Sequence, residues 1–184
     1  GAKAALQCDD MVEHFGREAM HYVSGNADLY AVIRMGGRSR DDDALTFRFA
    51  KKGYVYDVTG RKYLGKTDRV TTKVKLEEGR AFAVLPSKIE GVDIASPAAI
   101  SRGEDVALSF AIKSADLTPE YVIHVELIPP SGKARFHFKR NISTKNGKAS
   151  FRFPVALNDE AGKWTLRAVE SLTGVYSEKT LIVK

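Results

Sequence analysis

The sequence predicts an all-β protein built from two β-sandwich domains in tandem. In the second half, apolar and polar residues alternate with a period of two in one run after another, which is the pattern of strands with one buried face. Turn signals rich in Gly, Asn and Pro separate the runs. With 184 residues, of which 43% are apolar and 28% charged, each half can bury a modest core of its own.

The first half is rich in strand-like runs but less regular. Apolar segments lie at 29–34, 45–50, 54–57, 70–76 and 81–85. Thr59-Gly60 predicts a tight hairpin between 54–57 and 61–64, because glycine suits the backbone of such turns. These runs predict a second, sandwich-like β domain.

Residues 9–23 allow two interpretations. Apolar residues recur there at helical spacing: Cys8, Val12, Phe15, Ala19 and Tyr22. This spacing predicts a short N-terminal helix, but Gly16 interrupts it, and the Ser-Gly-Asn turn at 24–26 would fold 18–23 back onto 29–34. We favour a short helix or turn followed by that hairpin.

The second half predicts about seven strands, the number and spacing of an immunoglobulin-like sandwich. The runs lie at 92–95, 106–112, 121–127, 134–138, 151–155, 164–168 and 176–183. Asn146-Gly147 predicts a hairpin, since both residues tolerate positive φ. In the fourth run, Ala134, Phe136 and Phe138 alternate with polar residues, which predicts one buried face.

The boundary is expected near the Pro-Ser-Lys-Ile-Glu-Gly stretch at 86–91, giving domains 1–88 and 89–184. The net charge is +6 and the pI about 9.4. Basic residues are spread along the chain, whereas nucleic-acid-binding proteins cluster them, so no nucleic-acid partner is predicted. No run approaches the roughly 18 apolar residues of a membrane helix, so no membrane insertion is predicted.

Aromatic residues are the candidate binding groups. Tyr54 and Tyr56 share a face of the predicted hairpin and Tyr63 opposes them, so an exposed trio could bind carbohydrate; ordinary cross-strand packing is the favoured interpretation. The indole of Trp164 would suit the apolar face of a sugar ring. Its alternation with two apolar neighbours favours a place in the core instead.

No catalytic residue, cofactor or metal site is predicted. Cys8 is the only cysteine, which excludes an internal disulfide and a zinc site of paired cysteines. Four further sets are predicted to have structural or solvated roles: His14 with His21, Asp41 to Asp43, Asp57 with Asp68, and His124 with His137. None has the spacing or the companion residues of a known site.

Two stretches resemble known families. The sequence Asn-Gly-Lys-Ala-Ser-Phe-Arg-Phe-Pro at 146–154, followed by Gly-Lys-Trp-Thr-Leu at 162–166 and preceded by Pro-Ser-Gly at 130–132, resembles macroglobulin-type and bacterial immunoglobulin-like domains. Residues 53–65 look like the C-terminal β-sandwich regions of large bacterial glycoside-hydrolase-like proteins, including β-galactosidase-like ones. The second resemblance implies an accessory, extracytoplasmic position beside a catalytic domain, and it transfers no catalytic residue.

The expected function is therefore that of a non-catalytic structural or interaction module in a larger bacterial protein. Its expected partners are the other domains of that protein, with glycans and a second copy of the chain as further partners. The alternative is a carbohydrate-binding module that uses Tyr54, Tyr56, Tyr63 or Trp164.

Overall fold

A computed structural model describes residues 6–8, 17–34, 44–74, 78–133 and 136–184. The described residues form strands, turns and one short 3₁₀ helix, so the all-β prediction is confirmed. The chain divides into two compact units, Gly1–Lys88 and Ile89–Lys184. Within the described ranges, the structure contains no helix with the length and hydropathy needed to span a membrane.

The described strands of the first unit form one antiparallel sheet. Its described strands are β1 (Leu6–Cys8), β2 (Arg17–Ser24), β3 (Ala27–Arg34), β4 (Ala44–Asp57), β5 (Lys62–Lys73) and β6 (Gly79–Leu85). Strand β4 pairs with β5 along one side; on its other side it pairs with β1 near its start and with β6 near its end. Strands β3 and then β2 follow β6.

The long strands β4 and β5 each join two runs that the sequence separates. In β4, the polar interruption between the runs is a bulge where the pairing with β5 shifts between Arg48 and Gly53. A Cβ at Gly53 would lie 2.6 Å from Val84 Cγ1 and 2.9 Å from the Leu85 carbonyl oxygen, so the bulge needs glycine there. The bulge keeps both halves of β4 in the sheet and bends the strand.

The buried core of the first unit consists of aliphatic and aromatic side chains from β3 to β6 and the residue after β5. Its members are Tyr30, Val32, Leu45, Phe47, Phe49, Val55, Val70, Val74, Phe82 and Val84. Three of the phenylalanine rings pack edge to face or tilted with centroids 5.1 to 5.8 Å apart, within the range of favourable aromatic contacts.

The hairpin interpretation of residues 18–34 is confirmed. Strand β2 pairs with β3 along its whole length, from Arg17 opposite Arg34 to Ser24 opposite Ala27. Gly25, with φ of 55°, provides the positive φ that two-residue hairpin turns require. Residues 9–16, where a short helix was expected, lie outside the described ranges.

The second unit is a two-sheet, immunoglobulin-like sandwich. Its described elements are β7 (Gly91–Ala95), β8 (Ala99–Ile100), β9 (Asp105–Lys113), β10 (Val122–Ile128), a 3₁₀ helix (Phe136–Phe138), β11 (Lys139–Ser143), β12 (Lys148–Pro154), β13 (Gly162–Glu170) and β14 (Tyr176–Val183). One sheet has the order β11-β10-β13-β14-β8 and the other the order β12-β9-β7. Only the β8–β14 pair is parallel among these described strands.

The alternation in the second half identifies the buried faces correctly. Along β9 the buried side chains are Val106, Leu108, Phe110 and Ile112; along β10 and just before it they are Tyr121, Ile123, Val125 and Leu127. Each of these side chains is at most 5% exposed. The two sheets therefore bury the faces that the period-two pattern selects.

The strand predicted at 134–138 is wrong. Phe136–Phe138 forms the 3₁₀ helix, and the strand begins only at Lys139. Phe138 is buried whereas Phe136 is 89% exposed, because successive side chains of a 3₁₀ turn do not return to one face after two residues. Strand β11 itself carries few apolar residues, since it lies at the edge of its sheet.

Candidate functional site

The three candidate tyrosines lie in one row on the β4–β5 hairpin. Tyr56 pairs directly with Tyr63, and the Tyr63 ring lies 5.0 Å from the Tyr56 ring and 6.5 Å from the Tyr54 ring. The ammonium of Lys66 lies 5.0 Å from the Tyr54 centroid, and that of Lys88 lies 5.3 Å from the Tyr63 centroid. Both distances fit cation–π contacts.

The row is most open at Tyr63. Tyr56 is 1% exposed, Tyr63 is 38% exposed and Tyr54 is half-buried. A ligand at this row would therefore meet Tyr63 and the ammonium groups of Lys66 and Lys88 first. Tyr56 contributes to the stability of the hairpin through its ring contact and its burial.

Trp164 lies in the core of the second unit. Its side chain is 1% exposed, and its ring stands edge to face with Phe138 at 5.0 Å and 77°. The indole Nε1–H donates a hydrogen bond of 2.8 Å to the Glu160 carbonyl oxygen. Because the ring is enclosed, neither face of the indole is open to a sugar, whereas a stacking platform needs an exposed ring face.

Asp28 holds a polar cluster that sequence reasoning did not find. Asp28 is 7% exposed, and its carboxylate lies 2.8 Å from His21 Nε2 and accepts from the Lys51 ammonium at 2.7 Å. Lys51 also donates to the Asn26 carbonyl oxygen at 3.0 Å. The cluster thus ties β2, β3 and β4 together at the hairpin end.

The His21 ring of this cluster stacks on Tyr30, with centroids 4.7 Å apart and an interplanar angle of 9°. Burial, and then the charge of Asp28, raise the pKa of the Tyr30 phenol. The two-residue turn fixes the register that places Val23 opposite Asp28 and His21 opposite Tyr30. That register is the signal from which the cluster could have been deduced.

A second polar cluster lies on β10 and β11. Glu126 accepts from the Lys139 ammonium at 2.8 Å and lies 3.3 Å from His124 Nε2, while His124 Nδ1 lies 2.6 Å from Asn141 Oδ1. The hydrogen bond from Lys139 is the main cause that lowers the pKa of Glu126. His124 is thus half-buried and bonded through both ring nitrogens, in contrast to the solvated role expected for it.

Glu170 is the most deeply buried carboxyl group in the described chain, and it organises the turn between β13 and β14. It accepts from the Thr173 hydroxyl at 2.7 Å, the Thr173 amide at 2.9 Å and the Leu172 amide at 3.1 Å. Burial raises the pKa of Glu170 in spite of these bonds.

Asp57, one of the two aspartates considered as a catalytic pair, is buried and bonded to its own turn and to β6. Its carboxylate accepts from the Gly60 amide at 2.8 Å and pairs with the Arg80 guanidinium at 3.2 Å. Asp68 lies exposed on β5. Asp57 therefore closes a turn, a structural use of the carboxylate.

Among the residues that the structure describes, no group of three or more His, Cys, Asp or Glu side chains could hold a metal ion. His14 and Asp41 to Asp43 lie outside the described ranges. A shallow cavity of about 430 Å³ lies in the second unit between residues 117–120 and 143–146. None of the candidate aromatic residues lines it.

No protein-family model and no curated protein matches the chain. Among solved structures, it is similar to the native conformation of Escherichia coli alpha-2-macroglobulin, with 17% identity and a TM-score of 0.45 over 86% of this chain and 14% of that one. It is also similar to a mutant alpha-2-macroglobulin from Salmonella, with 14% identity and a TM-score of 0.43 over 92% of this chain and 12% of that one. The chain spans a small fraction of these proteins, and similarity at this level assigns neither a family nor a function.

Proposed function

We propose that this chain is a non-catalytic structural and interaction module of a larger bacterial protein. The observation that carries the proposal is that the buried acids are bonded within the fold. Asp28, Asp57 and Glu170 are the buried carboxyl groups of the described residues. Each is bonded to a backbone turn or to cations of its own unit.

A catalytic carboxyl group must be able to reach a substrate, and hydrolases of sugars need two such groups facing one bond. The three buried acids instead fix the geometry of hairpins, which is a requirement of a rigid scaffold. Glu126 is likewise bonded across strands, to Lys139 and His124. The positions of these groups support a role in bracing rather than in chemistry.

The proposed parent protein rests on the two sequence resemblances alone. The resemblance of residues 53–65 supports a place accessory to a glycoside-hydrolase-like region, and the resemblance of 146–166 supports a macroglobulin-type domain in the same array. The other domains of the parent would be the partners, in an extracytoplasmic compartment.

An activity assay on the purified chain tests the proposal. We expect no turnover of aryl-glycosides above a buffer control across successive purification steps. Turnover that scales with protein and falls in Glu126→Gln would contradict it. In the parent protein, deletion of this region should lower thermal stability or assembly while leaving the catalytic constant of the remaining domains unchanged.

Carbohydrate binding is the second candidate, and the partial exposure of Tyr63, with the Lys88 ammonium over its ring, favours it. The test is a glycan array with the wild type, Tyr63→Ala and Phe136→Ala, the last removing an exposed aromatic ring of the other unit. Binding that is lost only in Tyr63→Ala would support a site at the tyrosine row. Absence of binding by the wild type, or equal binding by all three proteins, would contradict it.

A further inference from the structure

Strand β2 concentrates exposed apolar side chains. In the described part of the first unit, four large apolar side chains are exposed, and three of them lie on this strand. They are Met20 at 37%, Tyr22 at 59% and Val23 at 64%. Met20 and Tyr22 share one face of the strand, where Tyr22 Oη contacts Met20 Sδ, and Val23 lies on the opposite face. The strand is therefore apolar and exposed on both faces along residues 20–23, in contrast to the isolated apolar side chains that are ordinary on a surface.

Within the described part of the sheet, the same strand also presents an open backbone edge. Among the described strands β2 pairs with β3 alone and ends the sheet. In a two-residue hairpin the closing pair, Ser24 with Ala27, is hydrogen bonded, and bonded pairs then alternate along the ladder. The N–H and C=O groups of Ala19, His21 and Val23 therefore point away from β3.

Three other edge strands among the described ones, β5, β11 and β12, carry charges that discourage pairing. Strand β5 has Lys62, Lys66, Asp68, Arg69 and Lys73; β11 has Lys139 and Arg140; β12 has Lys148, Arg152 and a terminal proline. Residues 19–23 of β2, Ala-Met-His-Tyr-Val, contain none of the four charged residue types. Charges and proline are the usual protection of an edge, and this stretch lacks them.

We propose that β2 pairs with β2 of a second copy of this chain, antiparallel and with the two-fold axis at His21. This inference rests on the proposed interaction role and names the partner and the surface. In this register Ala19 lies opposite the partner's Val23, and Met20 lies opposite the partner's Tyr22. The three outward-pointing residues pair with one another and form about six backbone hydrogen bonds.

The occupant is a second copy because the segment is self-complementary. On either side of His21 the opposed residues are both apolar: Met20 meets the partner's Tyr22, and Ala19 meets the partner's Val23. Methionine packs well against aromatic rings, and Tyr22 Oη already lies 3.5 Å from Met20 Sδ within one strand. His21 is held by Asp28 and Tyr30 in its own sheet, which leaves the centre of the interface ordered.

A charge-exchange experiment tests both the surface and the register. Two double variants are made in the full chain: Ala19→Lys with Val23→Lys, and Ala19→Glu with Val23→Glu. In the proposed register residue 19 faces the partner's residue 23, so each variant opposes like charges twice when it pairs with itself, and a mixture of the two opposes unlike charges twice. Self-association is measured by sedimentation equilibrium.

We expect the wild type to dimerise, each double variant to dissociate with a Kd raised at least tenfold, and the mixture to form heterodimers. Heterodimer formation would also show that both variants fold. The control, Leu157→Lys with Thr180→Lys, adds the same charge at exposed positions of the second unit and should dimerise like the wild type.

A wild-type chain that stays monomeric up to its solubility limit would overturn the inference. So would a dimer that the lysine variant leaves unchanged, or a mixture that forms no heterodimer. None of these results would bear on the absence of catalysis, which is measured separately by turnover. Failure of this inference is therefore distinguishable from failure of the proposed function.

Discussion

Replacement of Trp164 by alanine is expected to destabilise the second unit strongly. The side chain is almost completely enclosed, its ring meets Phe138 edge to face, and its N–H is bonded to the Glu160 carbonyl oxygen. The change removes the indole from the space between the two sheets. The surrounding strands are hydrogen bonded on both sides of β13 and can close that space only in part.

The magnitude follows from the buried area. A buried tryptophan removes roughly 150–250 Å² from water, which at about 25 cal/mol per Å² corresponds to about 4–6 kcal/mol. Residual compactness of the unfolded chain lowers this estimate by roughly 10–40%. We therefore expect Trp164→Ala to lower the free energy of unfolding by about 4 kcal/mol, within the ~3–5 kcal/mol known for such changes.

Trp164→Phe is the matched variant. It keeps an aromatic ring beside Phe138 but loses the bond to Glu160 and part of the volume, so we expect a loss of about 1–2 kcal/mol. Urea unfolding followed by circular dichroism measures both variants, because Trp164 is the only tryptophan and its fluorescence is lost. A loss below about 1 kcal/mol in Trp164→Ala would refute the core position, since cavity-forming changes cost more than this.

Three other predictions concern turns and carboxyl groups. Gly147 and Gly132 have φ of 71° and 73°, but only at Gly147 would a Cβ meet a neighbour, Leu117, at 2.6 Å. Gly147→Ala should therefore lower the free energy of unfolding by about 2–3 kcal/mol, and Gly132→Ala by about 1 kcal/mol. Equal melting temperatures of the two variants would contradict the Leu117 contact. Burial raises the pKa of Glu170 above 4.5, so its contribution to stability is largest below that pH and is lost as pH rises through the folded-state pKa. When the free energy of unfolding is measured over a pH series, Glu170→Gln should remove this decrease with rising pH. An unchanged pH dependence would contradict the assignment to Glu170. The pKa of Glu126 is lowered, so its contribution to stability is present above pH 4.5 and is lost as pH falls. Glu126→Gln should therefore weaken the loss of stability on the acid side of the same pH series. A loss as steep as that of the wild type would count against the Lys139 bond.

The buried faces of the second unit could be predicted because the side-chain period of a strand is two. Val106 to Ile112 and Ile123 to Leu127 show this pattern without interruption, and each predicted inward residue is buried. The pattern misled at Phe136, where three residues form a 3₁₀ turn and the aromatic ring points outward. A run of five residues is too short for alternation to distinguish a strand from such a turn.

The first unit shows a second limit of sequence patterns. Strand β4 crosses a polar stretch through the bulge before Gly53, and β5 continues through Gly65 with little apolar support. Both strands persist because they pair with each other over most of their length, and this pairing is a long-range property. Local composition therefore predicts two separate runs where the structure has one strand, with the break at the polar centre of each strand.

The polar clusters depend on register in the same way. His21 and Asp28 are seven positions apart in sequence, and they meet because a two-residue turn places their strands in one register. Glu170 is recognisable as a turn-forming acid only once the following residues are known to fold back and present their amides to it. In both cases the residue types were visible in the sequence, but the distances were not.

Alternation predicts which face of a strand is buried, but it does not show which strand ends a sheet. Strands β2 and β12 both lie at edges, and only the pairing order reveals this. Once the order is known, composition becomes informative: β12 carries Lys148 and Arg152 along its edge, whereas residues 19–23 of β2 carry no such charge. An edge without charge and with exposed apolar side chains tends to pair with another strand. It stays unpaired only when the protein concentration is low. The dependence of the association state on concentration is therefore the measurement that separates a paired β2 from an edge that is merely exposed.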